Sequence, residues 1–410
     1  MRFKTLLLNS LKKLKRGSLD LSLPNGVHHH FGGLSKTLQA NIEVKNEDFF
    51  RKSVIFGPIG FAEAYMAGDW DTTNLTKVIA WFILNADEAL ETESSSHGGL
   101  INFLNLYNRI LHMRRPNSLH TSKKNISEHY DLSNDFFKLW LDPTMTYSSA
   151  YYDPPDLDLE AAQIKKYDVL CKRLFLNDKD SVLEIGTGWG GFSMHAAKTY
   201  GCKIRTVTIS QQQFDEASKR IQEAGLADRI TVELTDYRLI RGQFDKIASI
   251  EMLEAVGDRY LETYFAKCHE VLKPTGMLGL QMIICPDRQF KILRDGVDFI
   301  QKHIFPGSLL LSVARVNQAI NKTGGLNLFD HEDMGVFYAK TLKTWCDRFE
   351  EKLPEVRALG FDEVFIRKWR YYLCYCEAAF GMRHISVVQN VYTRPNNTSI
   401  PSPAYDLLAS

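Results

Sequence analysis

From about residue 180 onward, the sequence predicts an α/β fold built on a doubly wound parallel sheet with helices on both faces. Short apolar stretches alternate with helical segments at the spacing typical of such sheets. A glycine-rich turn directly follows the first of these stretches. The composition, 44% hydrophobic and 24% charged, is that of an ordinary globular protein. Because ligands of such sheets bind at the carboxyl ends of the strands, functional residues are expected there.

The predicted elements follow one another without long interruptions. Strands are expected at 182–185, 204–209, 230–234, 244–250 and 277–284, and helices at 191–200, 210–225 and 259–272. Ser210 is placed to cap the second of these helices, and the stretch 274–276 to end the third. Residues 1–115 contain shorter mixed patterns: a loop at 23–26, an alternating stretch near 38–44 and a helical run at 75–90. They predict a smaller N-terminal α+β domain.

Length and charge limit the classes of protein to consider. The 410 residues predict two or three domains. A basic, proline-containing connector at 114–124 marks the expected boundary between domains 1–115 and 116–395, with 396–410 as a C-terminal tail. The 50 Lys and Arg residues against 49 Asp and Glu argue against a nucleic-acid-binding protein.

Cysteine and histidine patterns predict no metal site. The seven cysteines include no C-x-x-C pair, which favours reduced thiols in a cytosolic protein. Three consecutive histidines, His28 to His30, would point in different directions on either a helix or a strand. A polar loop is therefore expected at that position.

The N-terminal segment is rich in basic residues and leucines. Residues 1–17 hold six Lys or Arg and no acidic residue, and the leucines recur at helical spacing. This pattern predicts a basic amphipathic helix on an anionic membrane surface, which makes residues 1–115 a candidate lipid- or membrane-associated domain. An ordinary helix packed on its own domain is the alternative. No apolar run reaches the roughly 18 residues that span a bilayer, so a cytoplasmic protein, peripheral on the inner membrane, is expected.

The sharpest motif is the Glu-Ile-Gly-Thr-Gly-Trp-Gly-Gly stretch that begins at Glu184. Gly186 and Gly188 allow a tight turn and a close approach of the backbone to a ligand. The glycine pattern alone also fits nicotinamide and flavin dinucleotides. The carboxylate just before the glycines, and the lack of a phosphate-binding lysine after them, favour S-adenosylmethionine.

Two further strand ends carry polar side chains suited to a nucleoside. After the second strand, residues 208–213 offer hydroxyl and amide groups where a nicotinamide site would want an acid on the ribose. Asp236 follows the third strand and is placed to accept a hydrogen bond from an adenine amino group.

Taken together, the motifs resemble the cyclopropane-fatty-acid synthase family, S-adenosylmethionine-dependent enzymes that include the mycolic acid cyclopropane synthases. The resemblance covers about residues 116–393, and more weakly the N-terminal domain. It is carried by residues 129–137, 141–151, 184–191, 207–210 with 213, 236–238, 244–249, 254–257 and 304–307. It implies a Rossmann-like class I methyltransferase fold for the second domain, and a homodimer.

The resemblance implies methyl transfer from S-adenosylmethionine to a cis double bond of an unsaturated phospholipid acyl chain, giving a cyclopropane through a carbocation. The cofactor residues it implies are Tyr147 and Ser148 in a lid, Glu184, Gly186 and Gly188 at the methionine part, Thr208, Ile209 and Gln213 along the ribose and adenine, and Asp236 at the adenine edge.

A bound bicarbonate that removes the proton is also implied, with Glu254 as the alternative base. The positions matched to that anion site are Glu254, Tyr338, Gln281, Ser149 and Ile283. Ser149 stands where the family has Cys, and Gln281 stands where it has His. Because glutamine cannot carry a proton at neutral pH, these departures affect ring closure more than methyl transfer.

Two other functions therefore stay open. One is a C-methyltransferase that makes a methyl-branched or methylene lipid, or methylates a soluble unsaturated substrate, without closing a ring. The other is a non-catalytic S-adenosylmethionine-binding membrane protein.

Aromatic residues are dense between Trp369 and Phe380 and indicate one helix. Their rings could form a wall of an acyl tunnel near a passing cation, or simply pack the core. Arg383 and His384, just beyond, are expected to be solvated.

Overall fold

The computed structural model describes residues 2–33, 38–85 and 133–400. The predicted boundary at 115/116, the connector 114–124, the helical residues 86–90, and residues 129–132 of the resemblance lie outside these ranges. The helices are α1 (Arg2–Leu11), α2 (Asp48–Met66), α3 (Leu75–Leu84), α4 (Asn134–Lys138), α5 (Leu159–Arg173), α6 (Gly191–Tyr200), α7 (Gln211–Glu223), α8 (Leu261–Val271), α9 (Asp287–Asp295), α10 (Phe299–His303), α11 (Val313–Thr323), α12 (Gly335–Glu351), α13 (Leu353–Ala358) and α14 (Glu363–Gly381).

The strands belong to two sheets. They are β1 (Ser18–Ser22), β2 (His28–Gly32), β3 (Gln39–Val44), β4 (Trp70–Asp71), β5 (Ser181–Ile185), β6 (Lys203–Thr208), β7 (Ile230–Leu234), β8 (Phe244–Ile250), β9 (Leu272–Ile284), β10 (Asn327–Asp333) and β11 (Ser386–Thr393). The predicted strands and helices after residue 180 are confirmed to within a few residues, apart from the start of β9.

Within the described residues, seven strands form the large sheet in the order β10-β11-β9-β8-β5-β6-β7. Strands β9, β8, β5, β6 and β7 run parallel. From β5 the chain continues to β6 and β7 on one side of β5, and then crosses over to β8 and β9 on the other side of β5. This reversal leaves a crevice at the carboxyl ends of β5 and β8. The predicted doubly wound α/β fold is confirmed.

Two features of the large sheet differ from the prediction. Strands β10 and β11 add an antiparallel edge that the sequence patterns did not indicate. Strand β9 begins at Leu272, so the stretch 274–276 does not separate helix from strand as expected. A register shift between Phe244 and Lys246 in the pairing of β8 with β9 accommodates Pro274, which cannot donate to the ladder.

The predicted α+β arrangement near the N-terminus is also present. Four strands of the described N-terminal residues form a sheet in the order β2-β1-β3-β4. The loop expected at His28 to His30 was wrong, because these residues form β2, antiparallel to β1. Phe31 is buried and anchors that strand, and His30 Nδ1 lies 2.7 Å from Asp20 Oδ1.

Helix α1 packs on its own domain. Leu11 and Leu14 are buried, and Phe3, Leu7 and Leu8 pack against the same apolar core. The apolar face of the helix is therefore covered by the protein, as the alternative interpretation expected. The basic residues that follow it point to solvent. None of the helices in the described ranges is long and apolar enough to cross a membrane.

Helix α14 joins the N-terminal sheet region to the rest of the molecule. The Arg367 guanidinium donates to the carbonyl oxygens of Tyr65 and Trp70 at 2.5 and 2.9 Å. Thr76 Oγ1 donates to the Glu377 carboxylate at 2.9 Å. One apolar core runs through both regions. The division into domains at 115/116 stays a prediction.

Candidate active site

A cavity of about 440 Å³ opens at the carboxyl ends of the parallel strands. Of the residues expected to bind the cofactor, all line this cavity: Tyr147, Ser148, Glu184, Gly186, Gly188, Thr208, Ile209, Gln213 and Asp236. Three of the five expected catalytic residues, Glu254, Ile283 and Tyr338, line it as well. Ser149 and Gln281 are buried just behind its wall.

The glycine turn forms one end of the cavity. Gly186 and Gly188 have φ of 101° and 52°, in the left-handed region that favours glycine. A Cβ at Gly186 would lie 3.0 Å from Met252 Cγ, whereas a Cβ at Gly188 would meet no protein atom within 4 Å. A side chain at Gly188 would therefore enter the cavity itself.

Glu184 lies at the end of β5, beside the turn, and is 3% exposed. Its carboxylate accepts a hydrogen bond from Thr206 Oγ1 at 2.6 Å, and another from Ser193 Oγ. Burial raises the pKa of Glu184 to about 7. A cationic group in the cavity would restore the charged form, because an opposite charge close by stabilises a carboxylate.

The nucleoside side of the cavity is held by local hydrogen bonds. Thr208 Oγ1 donates to Gln213 Oε1 at 2.8 Å, and Ser210 caps α7 by accepting from the Gln213 N–H at 3.3 Å. Asp236 is engaged by Arg238, whose Nε and Nη2 donate to its two carboxylate oxygens at 2.8 and 2.7 Å. A ligand at Asp236 would therefore share a carboxylate that is already ion-paired.

Tyr147 and Ser148, expected to lie in a lid, form hydrogen bonds that the sequence patterns did not reveal. Tyr147 donates from its hydroxyl to that of Tyr372 at 2.8 Å. Ser148 Oγ accepts from Lys166 Nζ at 2.6 Å. Lys166 is fully buried, and burial lowers its pKa to about 7.

A second carboxylate, Glu251, lies at the end of β8 and lines the cavity. Its Oε1 accepts from the Ser149 N–H and from Gln281 Nε2, each at 2.8 Å. Its Oε2 accepts from the Tyr338 hydroxyl at 2.7 Å. Sequence reasoning missed Glu251, although its position directly after a strand of the sheet was a usable signal.

The neighbouring Glu254 has fewer donors. Its Oε1 accepts from the Ile283 N–H at 2.5 Å, and its Oε2 is buried with no hydrogen-bond partner among the described residues. Burial and the charge of Glu251 raise the pKa of Glu254 to about 8. Glu254 is therefore mostly protonated at neutral pH.

The aromatic residues of α14 take both positions considered from the sequence: some lie in the cavity wall and others pack in the core. Tyr372, Tyr375 and Phe380 line the cavity, whereas Trp369 and Tyr371 are buried in the core. Beyond the helix, Arg383 is exposed as expected. His384 is partly buried and lines the cavity.

The raised pKa of Glu254 predicts a pH-dependent stability. Between about pH 4.5 and pH 8, Glu254 keeps its proton in the folded protein, whereas in the unfolded chain, where its pKa is the ordinary 4.5, it has released the proton. Stability from this group is thus complete below about pH 4.5 and is lost as the pH rises toward about 8. We expect Glu254→Gln, which cannot ionise, to gain melting temperature relative to wild type across that range. Thermal unfolding at several pH values tests this, and parallel curves for the two proteins would contradict it.

The chain is similar to several known proteins. The family model described as mycolic acid cyclopropane synthetase matches residues 117–390. A tuberculostearic acid methyltransferase from Mycobacterium tuberculosis is 38% identical over 351 residues, 81% of this chain and 78% of the relative. The cyclopropane-fatty-acyl-phospholipid synthase of Escherichia coli is 36% identical over 359 residues, covering 87% of this chain and 88% of the relative.

A solved structure of a mycolic acid cyclopropane synthase, complexed with SAH and CTAB, is also similar. It superposes with a TM-score of 0.62 and 29% identity, and the match covers 66% of this chain and 98% of that protein. The family match, the relatives and the cavity at the strand ends are consistent with one another. This chain belongs to the mycolic acid cyclopropane synthetase family.

Proposed function

We propose that this protein transfers a methyl group from S-adenosylmethionine to a cis double bond of an unsaturated phospholipid acyl chain and closes a cyclopropane ring. The observation that carries the proposal is the composition of the cavity. One cavity joins the glycine turn and Glu184 to a section lined by apolar and aromatic side chains. A polar cofactor and an acyl chain can therefore meet inside it.

The residues present fit S-adenosylmethionine at the polar end. The buried Glu184 carboxylate suits the cationic amino group of the methionine part, and the open space at Gly188 suits close contact with a ligand. When bound, S-adenosylmethionine supplies an electrophilic methyl group on a positively charged sulfur. The relative crystallised with SAH supports this assignment.

The other section suits an acyl chain. Ile300, Phe305 and Leu309 line it together with Tyr375 and Phe380. Aromatic faces stabilise a nearby cation, and an apolar wall keeps water from a carbocation. An alkene is a poor nucleophile, so the walls must hold it in line with the methyl group at about 3–3.5 Å.

Bicarbonate, which the resemblance implies as the base, does not fit the residues present. The Ser149 N–H, the Gln281 amide and the Tyr338 hydroxyl were expected to hold it. All three donate to Glu251 instead. We therefore derive no step through bicarbonate.

A second product is favoured by one observation on this chain and one relative. Gln281 replaces the family histidine at the site of proton removal. A relative that is 38% identical is named a tuberculostearic acid methyltransferase rather than a cyclopropane synthase. A methylene lipid is an isomer of the cyclopropane lipid, and a methyl-branched lipid would in addition need a reductant.

Expression in a bacterial host that lacks its own synthase tests the function. We expect unsaturated phospholipid acyl chains to gain the mass of one CH₂ unit, because transfer adds a methyl group and releases one proton. Mass spectrometry measures the gain in mass, and NMR distinguishes a cyclopropane ring from a methylene branch (C=CH₂) on the acyl chain. Acyl chains that keep their original masses, with the protein folded and abundant, would contradict the proposal.

Binding of the cofactor is tested at the glycine turn. We expect Gly188→Val to abolish S-adenosylmethionine binding in calorimetry, because its side chain would stand in the cavity. Gly225→Val is the matched control. Gly225 has a similar φ of 66°, and a Cβ there also meets nothing within 4 Å, but it does not line the cavity. Both variants carry the strain of a left-handed residue, roughly 1–2 kcal/mol, so equal loss of binding in the two would refute the placement.

We also propose that the protein works at the inner membrane surface as a peripheral protein, since its substrate is a phospholipid. The apolar face of α1 is packed on the protein, so contact with the membrane would be electrostatic. Lys12 and Lys13 are exposed beside α1 and can supply it. We also propose that the protein forms the homodimer that the resemblance implies.

Charge reversal tests the membrane contact. Lys12→Glu with Lys13→Glu should weaken binding to anionic vesicles in a salt-sensitive way, since each basic residue near such a surface is worth about 1 kcal/mol. The control is Lys198→Glu with Lys203→Glu, which makes the same change of net charge at two exposed residues of the large sheet region. Equal sedimentation of both variants with vesicles would rule out a role for α1.

A further inference from the structure

We propose that the Glu251 carboxylate is the built-in base that removes the proton from the transferred methyl group, and that it takes the place of a bound bicarbonate. This inference rests on the proposed function and names the group that completes its reaction. It differs from the expectation that Glu254 or a bound anion acts as the base.

Three hydrogen-bond donors converge on the Glu251 carboxylate. The Ser149 N–H and Gln281 Nε2 both donate to Oε1 of Glu251 at 2.8 Å, and the Tyr338 hydroxyl donates to Oε2 at 2.7 Å. An ionised carboxylate only accepts hydrogen bonds, so it matches a set made of donors. Bicarbonate presents a similar planar CO₂ group, which explains how a side chain can use the same three donors.

A neighbouring glutamine fixes the orientation of Gln281. Gln389 Nε2 donates to Gln281 Oε1 at 3.1 Å. Gln281 is therefore turned so that its NH₂ group faces Glu251, with a longer second contact to the Ser149 carbonyl oxygen at 3.3 Å. Gln389 acts as a positioning residue, and both glutamines are buried.

Two carboxyl groups, Glu251 and Glu254, already lie in this part of the cavity, and the buried Lys166 is the lysine whose charge acts on Glu251. A bicarbonate here would be a further buried anion, and the donors expected to hold it, on Ser149, Gln281 and Tyr338, already pair with Glu251. Burying an anion without donors is costly in an apolar site. The site is better described as already holding its anion.

The two carboxyl groups differ in their surroundings. Burial raises the pKa of Glu251, and its three donors and the charge of Lys166 oppose that rise. Glu254 receives one donor and keeps an unpartnered oxygen among the described residues. A pair of carboxyl groups in unequal environments divides the roles of proton holder and proton acceptor. The donor sets assign the role of proton holder to Glu254 and that of proton acceptor to Glu251.

The backbone at Glu251 is consistent with a functional position. Its φ of 47° lies in the left-handed region, which is uncommon for residues other than glycine. Such strain persists where the surroundings fix it, and it concentrates at active sites. The three donors to the side chain supply that fixing here.

The proposed reaction adds a methyl group to the alkene and then removes one proton from that methyl group. The alkene π electrons form the new C–CH₃ bond as the S–CH₃ bond breaks, and the bonding pair remains on sulfur. The neighbouring carbon becomes a cation. Glu251 takes a proton from the new methyl group, and the C–H pair closes the ring. If a hydride first shifts from the methylated carbon to the cationic carbon, loss of a proton from the same methyl group gives a methylene branch (C=CH₂) instead. Glu251 can therefore serve either product.

The test uses the purified full chain, S-adenosylmethionine and vesicles of unsaturated phospholipid. We expect Glu251→Gln to lower product formation by about 10²–10⁴-fold, the usual contribution of a positioned base. Binding of S-adenosylhomocysteine, measured by calorimetry, should be unchanged and shows that the variant is folded. Glu251→Asp keeps a carboxylate and should lose less activity than Glu251→Gln.

Anion rescue provides a readout that a structural role would not move. Glu251→Gly vacates the space between the three donors, so added bicarbonate or formate should restore activity to this variant but not to Glu251→Gln. Wild type should be indifferent to the removal of bicarbonate from the buffer, a result that does not depend on how well any variant folds.

The outcomes separate the two proposals. A wild-type protein that modifies no unsaturated lipid overturns the proposed function and, with it, the role of Glu251. A wild-type protein that forms product only with bicarbonate, or a Glu251→Gln variant within tenfold of wild type, overturns the assignment of the base and leaves the proposed function standing.

Discussion

A carboxylate buried beside an apolar cavity must be matched with hydrogen-bond donors, and one end of this cavity is organised around that requirement at Glu251. The donors come from the segment between α4 and α5, from β9 and from α12, so three distant parts of the chain meet at one side chain. Leaving such a group unpaired would cost several kcal/mol. The positions of Ser149, Gln281 and Tyr338 are thereby coupled to one another.

The positions of the parallel strands, and the meeting of the expected cofactor residues at one cavity, could be predicted from the sequence because both depend on local signals. Apolar runs mark the strands, and glycines such as Gly186 mark a turn that other residues adopt with strain. The strand ends of a parallel sheet share one edge, which brings Thr208 and Asp236 to the same cavity as Glu184. The N-cap at Ser210 is a signal of the same local kind.

Other features depend on contacts between residues far apart in sequence. The role of Glu251 was missed because its three partners lie 102, 30 and 87 residues away. Lys166 shows no pattern that distinguishes it from a surface lysine until the fold buries it. The histidines of β2 form a strand because β1 pairs with them, a partnership that composition alone does not indicate.

Helix α14 has one further consequence. One part of it is fixed to the N-terminal sheet region through Arg367, and another part supplies the cavity wall through Tyr372, Tyr375 and Phe380. No cavity-lining residue comes from the described part of residues 1–115. The width of the cavity at α14 therefore depends on contacts with described residues that do not line it. If this part of the cavity holds an acyl chain as proposed, substitutions at those contacts would change which chain lengths fit while Glu184 and Glu251 stay the same, so selectivity and chemistry could evolve separately.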